Sequence, residues 1–308
     1  MRKSSFAVSC ILLHLATTAF ATVELQITVT NNGPANGVAI TPLWVGFHDG
    51  SFDSYNGGLT SQLGLESIAE DGNAAILSTD FQGGYTYVDN SSGTATSARI
   101  LSSQTGSERV DGTIGSASGP PPIQAGESAT ANFSVSVDGT NRYLSYVSMV
   151  LPTNDFFVAN GNPFAIDLAS LYDGEGEITF NIGLAGEVND AGTEDESYVT
   201  SAANGLFGLA GGQSGPDTPA GSTNDVITNV VGPNPLDALN FIEGSQPGFD
   251  FNDEDLYPNG IATVSITAVG APNAAVPEPA SGLVWVTLAL IACGFRWQQN
   301  RSQFLASA

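Results

Sequence analysis

The chain has 308 residues, enough for one large β domain whose core needs neither metal nor disulfide staples. Charged residues are 12%, about half the usual share, while 36 glycines and 16 prolines indicate turn-rich β structure without reaching the composition of disorder. With 31 acids against 7 bases the net charge is −24, and the bases of residues 22–276 are only Arg99, Arg109 and Arg142, so nucleic acid and anionic lipid are excluded as partners and divalent cations are favoured.

Residues 1–21 read as a secretory signal peptide: Arg2 and Lys3, an apolar run Phe6–Leu15, and Ala19-Phe20-Ala21 as the small-x-small cleavage site. The mature chain is expected to begin near Thr22. Val23, Leu25, Ile27 and Val29 then alternate with polar residues, the period of a strand with one face in a core. The same alternation returns at Phe133, Val135 and Val137, at Ile178, Phe180 and Ile182, and at Ala262, Val264, Ile266 and Ala268. Tyr143–Leu151 is almost continuously apolar and suits the centre of a sheet. Turn clusters such as Asn31-Asn32-Gly33-Pro34 and Gly119-Pro120-Pro121-Pro122 separate these runs, which together predict an all-β fold, an antiparallel β-sandwich.

One region departs from this period. Leu59, Leu63, Leu65, Ile68 and Ala69 recur at helical spacing before Gly72, predicting a short helix over Gly58–Glu70 that covers an open edge or end of the sandwich. Asn73 is placed to cap a second short turn through Leu77. Residues 202–235 show no period and read as a long loop. With no internal repeat and no second hydrophobic core, residues 22–272 form one predicted domain.

Residues 273–308 are a tail. Val276-Pro277-Glu278-Pro279-Ala280 is followed by an apolar stretch, Gly282–Phe295, and then by Arg296 and Arg301. With its margins the stretch is about 15 to 18 residues, roughly 22 to 27 Å as a helix, a thin transmembrane anchor for a core of roughly 30 Å. The arginines stay cytoplasmic and place the acidic domain outside the inner membrane. The order Pro277-Glu278-Pro279, apolar helix, basic end resembles the PEP-CTERM sorting tail of Gram-negative bacteria. That resemblance implies removal by an exosortase-type peptidase and delivery to the outer surface or extracellular matrix, the alternative being a plain single-pass anchor. Cys10 and Cys293 both lie in the removable ends, so the mature domain is expected to use no disulfides.

Subtraction limits the chemistry. The mature domain has no Cys, no Lys and one histidine, His48, which excludes thiol nucleophiles, Schiff-base lysines, P-loops and multi-His or multi-Cys zinc sites. No G-x-S-x-G elbow presents a serine to His48, and Phe47-His48-Asp49-Gly50 reads as a hydrogen-bonded strand end. Acidic turns instead suit calcium, which takes six to eight oxygen ligands. The candidates are Asn189–Glu196, Asp155, the run Asp250–Asp255, and Asp173–Glu177. In the first, Asp190 and Glu194 flank Gly192, which lets a loop turn both carboxylates toward one point.

Four blocks in order resemble the bacterial members of the spondin domain family: Thr41-Pro42-Leu43 through Phe47-His48-Asp49-Gly50; Gly64-Leu65-Glu66-Ser67-Ile68-Ala69-Glu70-Asp71-Gly72-Asn73; Met149-Val150-Leu151-Pro152-Thr153-Asn154-Asp155-Phe156-Phe157; and Asn189-Asp190-Ala191-Gly192-Thr193-Glu194. The resemblance implies a C2-like antiparallel β-sandwich of about eight strands with bound Ca2+, its ligands Asp155, Asp190 and Glu194, with Asp195 as the alternative last ligand.

The function expected from these features is that of an exported, non-enzymatic surface or matrix protein. It would be stabilised by calcium, be anchored to the membrane transiently through its C-terminal helix, and act in adhesion toward polysaccharide or other surface proteins. Two other readings stand beside it. One is a carbohydrate-binding module that stacks sugars on aromatics such as Trp44, Tyr55, Tyr85 or Tyr87. The other is a glycan-active enzyme working through two carboxylates.

Overall fold

A computed structural model of the chain describes residues 21–83, 99–100, 109–115, 122–184, 186–194, 226–230 and 257–270. From Thr22 onward they belong to one unit, Thr22–Asn273. The strands are β1 (Thr22–Asn31), β2 (Ala39–Ile40), β3 (Leu43–His48), β4 (Phe52–Asp53), β5 (Arg99–Ile100) and β6 (Val110–Ile114). They continue with β7 (Ser128–Ser136), β8 (Tyr143–Leu151), β9 (Phe156–Ala159), β10 (Glu177–Ile182), β11 (Val188–Asp190), β12 (Thr228–Asn229) and β13 (Ala262–Ala268). Two helices, α1 (Leu63–Asp71) and α2 (Ala75–Gly83), lie between β4 and β5.

The alternating runs fall where their period places them. One sheet has the order β10-β13-β1-β7, and Val23, Leu25, Ile27 and Val29 of β1 are fully buried beneath it. A larger sheet runs β12-β11-β9-β8-β3-β6, with β2 added on β8, while β4 and β5 form a separate pair. All pairings between these named strands are antiparallel. The inner faces of the two large sheets share one core, in which Ile27, Val264 and Ile266 meet Val45, Phe47, Leu144 and Val158. This is an all-β, antiparallel sandwich, and Tyr143–Leu151 is an interior strand of the larger sheet.

A second apolar cluster, absent from the sequence expectation, lies on the opposite face of the larger sheet. Every residue of β3 is buried, because Leu43, Val45 and Phe47 face the inter-sheet core while Trp44 and His48 face the other way. Trp44 packs between Phe52 and Phe81, with ring centroids 5.6 and 5.4 Å away, and its indole N–H donates to Asp111 at 3.0 Å. Leu65, Ile68 and Ala69 of α1 and Leu77 and Phe81 of α2 close this layer. The helices therefore cover a sheet face, not an edge.

Helix α1 begins at Leu63, five residues later than predicted. The preceding segment is committed to extended pairing: Gly58 N donates to Ile227 O, Ile227 N donates to Leu59 O, and Thr60 bridges Val226. Gln62 then caps the helix by accepting from Gly64 N at 2.7 Å. Leu63, which its spacing placed on the apolar stripe, is 59% exposed. Asn73 does cap the second helix, accepting from Ala75 N at 3.1 Å, but α2 runs on to Gly83. Arg109 prolongs its favourable electrostatics by donating to the carbonyls of Phe81 and Gln82 at 2.8 and 3.2 Å, a cation at a helix C-terminus. Within residues 202–235, the described part, 226–230, holds β12 and the buried Ile227.

Ala19 of the cleavage site and the motif Pro277-Glu278-Pro279 with the apolar stretch after it lie outside the described residues, whereas Ala21 directly precedes β1. Among the described residues no helix is long and apolar enough to cross a membrane.

Gly72 ends α1 at φ +65°, donating its N–H to Ile68 O at 2.8 Å. A Cβ there would lie 2.4 Å from Thr41 Cγ2, and Thr41 is itself held by Met149 N at 3.1 Å. Gly72→Ala is expected to lower the urea unfolding free energy by about 2 kcal/mol or more, from the left-handed conformation and the contact with Thr41 together. A midpoint equal to that of the unaltered chain would contradict this account of the helix stop.

Candidate functional site

The turn between β8 and β9 carries Asp155. It starts at the cis Leu151–Pro152 bond and is closed by Thr153, whose N–H and hydroxyl both donate to Val150 O and whose hydroxyl accepts from Phe156 N at 3.1 Å. Asp155 has no exposed surface. Its Oδ2 accepts from Thr193 N at 2.8 Å, from Thr193 Oγ1 at 3.2 Å and from Glu194 N at 3.1 Å. Its main-chain carbonyl accepts from Ala191 N at 3.2 Å. One buried carboxylate thus organises the loop that leaves β11.

The neighbouring strand supplies Asp190, which pairs with Phe156 across β9 and β11. Asp190 Oδ1 accepts from Gly192 N at 2.7 Å, turning the chain sharply, and Gly192 takes φ +70°. A Cβ on Gly192 would lie 2.6 Å from Val226 O, so only glycine lets this turn pass beneath the 226–227 segment. Ser61 Oγ donates to Ala191 O at 3.0 Å from the far side. Burial and then the charge of Asp155 push the Asp190 carboxyl up to about 6, with the Gly192 N–H acting in the opposite sense.

The structure therefore brings Asp155 and Asp190 together at two adjoining strand ends. Glu194 is buried at the same place and joins Asp155 through its main-chain N–H. Among the described residues no three His, Cys, Asp or Glu side chains form a group that could hold a metal ion, and Asp195 lies outside the described residues. The donor chemistry fits calcium in part. Two carboxylates are hard ligands of the kind calcium takes, and a cation would relieve the repulsion between the acids.

The other candidates separate cleanly. His48 is fully buried; its Nδ1 accepts from Gly50 N at 3.0 Å, which leaves Nε2–H to donate to Ser145 Oγ at 3.0 Å. Burial lowers its pKa to about 4 against the opposing charge of Asp49, so it is neutral at physiological pH. Trp44 is buried and offers no stacking platform, and Tyr55 lies edge-on to Phe157 at 5.3 Å while accepting from Asn189 Nδ2 at 3.1 Å. Asp173 accepts from Glu175 N at 3.0 Å in an exposed turn. Asp250–Asp255, Tyr85 and Tyr87 lie outside the described residues. Sequence reasoning missed Thr193 and Ser61 as supports of the acidic turn; the only signal for Thr193 was its place between Gly192 and Glu194. Neither a family model nor a curated protein matches the chain, so the spondin and PEP-CTERM resemblances rest on the sequence blocks that carry them.

A carboxyl whose folded pKa is raised binds its proton more tightly in the folded state, so its contribution to stability falls as pH rises from about 4 to about 6. His48 works in the opposite sense over an overlapping range, because its lowered pKa removes stability as pH falls. The difference between the unaltered chain and Asp190→Asn isolates the first effect. Without divalent cations, Asp190→Asn is expected to have the higher melting temperature at pH 7, with the gap closing by pH 4. A gap that is constant across this range would contradict the assigned titration.

Proposed function

We propose that this chain is an exported, non-enzymatic protein of the cell surface or extracellular matrix, and that its sandwich, C2-like as the spondin resemblance implies, is stabilised by Ca2+. Asp155 and Asp190 would hold the ion, with Glu194 or Asp195 as the further acid. The ion would supply charge neutralisation and pin the two turns together. The juxtaposition of Asp155 and Asp190 carries this reading, since two acids gathered at adjoining strand ends are costly unless a cation accompanies them.

Export is supported by the signal-like residues 1–21 and by the tail around Pro277-Glu278-Pro279, which would be the substrate of an exosortase-type peptidase. The same tail accounts for transient attachment to the inner membrane. Adhesion suits a domain without thiol, lysine or serine-elbow chemistry.

Thermal unfolding of the full chain in millimolar calcium and in chelator tests the reading. At a calcium concentration about a hundredfold above Kd, binding adds about 2.7 kcal/mol, which for a domain of this size raises Tm by roughly 5 to 10 °C. Asp155→Asn and Asp190→Asn should each remove most of that rise. An equal Tm in calcium and chelator for the unaltered chain would overturn the cation site.

A further inference from the structure

Five Asn-Gly pairs occur among the described residues: Asn32-Gly33, Asn36-Gly37, Asn56-Gly57, Asn160-Gly161 and Asn259-Gly260. In such a pair the backbone nitrogen of glycine can attack the side-chain carbonyl of asparagine, since no Cβ stands beside it. The attack is intramolecular and needs the two groups free to meet, so the fold decides which pair reacts.

Four pairs are held out of reaction. Gly33 N donates to Asn31 Oδ1 at 2.9 Å, while the Asn32 amide donates to Asn259 O at 3.1 Å and to Thr263 Oγ1 at 2.9 Å. Gly37 N donates to Pro34 O at 2.9 Å and Gly260 N to Tyr257 O at 3.0 Å, and both glycines are buried. Asn160 is itself buried, its Oδ1 accepting from Tyr146 N at 2.8 Å and its Nδ2 donating to the carbonyls of Leu144 and Asn162, each at 3.2 Å. In every case the nucleophile or the carbonyl is already engaged.

Asn56-Gly57 differs. It lies in the loop between β4 and α1, Gly57 is exposed, and among the described residues no acceptor takes the Gly57 N–H. Asn56 Nδ2 donates to Asp53 Oδ2 at 2.9 Å, which sets a carboxylate beside the nitrogen that would leave and favours its protonated form.

We propose that Asn56 is a site of spontaneous conversion to aspartate and isoaspartate. Gly57 N loses its proton to solvent and bonds to Asn56 Cγ; the Cγ–Nδ2 bond breaks, and the nitrogen takes a proton from solvent and leaves as ammonia. Water then opens the cyclic imide. Opening at Cγ gives aspartate, and opening at the main-chain carbonyl gives isoaspartate, which routes the backbone through the side chain. Either product turns a neutral donor to Asp53 into a second carboxylate beside it. Isoaspartate also displaces Asn56 O and Gly58 N, which fasten the loop to Leu59 N and Ile227 O. The reaction is thus a clock that loosens this loop with age.

Peptide mapping by mass spectrometry, on the purified full chain aged in mildly alkaline buffer, tests the assignment. Asn56 should convert at least tenfold faster than Asn32, Asn36, Asn160 and Asn259, and should give both products. Gly57 does not take a positive φ, and a Cβ there would meet no atom within 4 Å, so Gly57→Ala folds without strain. That variant should slow conversion of Asn56 at least tenfold without lowering Tm. The converted fraction, separated by its added negative charge, should melt below the unconverted one. Conversion of Asn56 no faster than at the four held pairs, an unchanged rate in Gly57→Ala, or equal melting of the two fractions would overturn the proposal. So would a ranking of the five pairs that persists in urea, since the fold would then not be its cause.

Discussion

A carboxylate with no access to water must find its compensation inside the protein, and Asp155 is in that position. Its Oδ2 takes donors from Thr193 and Glu194, while its carbonyl takes Ala191 N, so one residue joins the β8–β9 turn to the exit of β11. Hydrogen bonds to a charged group are each worth about 1.5 to 3 kcal/mol net, which makes this junction stronger than its few residues suggest. Burial lifts the Asp190 carboxyl, and the Asp155 charge held here adds to that lift. A proton resolves that conflict at low pH, and the proposed cation would resolve it at neutral pH.

The junction holds its shape because the sheet beneath it is covered on both faces. β3, β8 and β9 give alternate residues to the inter-sheet core and to the layer under α1 and α2; Phe156 and Phe157, adjacent in sequence to Asp155, enter one core each. Turns anchored this way sit on rigid elements, the arrangement that lets a site keep its geometry. Gly192 and Gly72 are two of the places where the chain can pass only without a side chain, beneath Val226 and against Thr41.

Much of the sandwich was legible because burial on one face leaves a period of two in the sequence, and β1, β10 and β13 carry it clearly. The helical region was legible through Leu65, Ile68 and Gly72, but its start was not. Leu59 and Leu63 have the right spacing, yet the extended bridge at Thr60 and the pairing of Leu59 with Ile227 depend on a segment more than 160 residues away. The second core was written in Leu43–His48, an almost unbroken apolar run, which means burial on both faces and not simply a central strand. The acidic site was legible as residue types in short turns. That Asp155 is the buried partner of the 193–194 backbone, while Asp173 stays in an exposed turn, is tertiary information that spacing does not encode.

The most direct measurement is a crystal structure of the chain grown in calcium. The account predicts one ion with carboxylate oxygens of both Asp155 and Asp190 at about 2.3 to 2.6 Å. Well-ordered density for both side chains with no ion between them, or an ion bound only at another acidic turn, would contradict it.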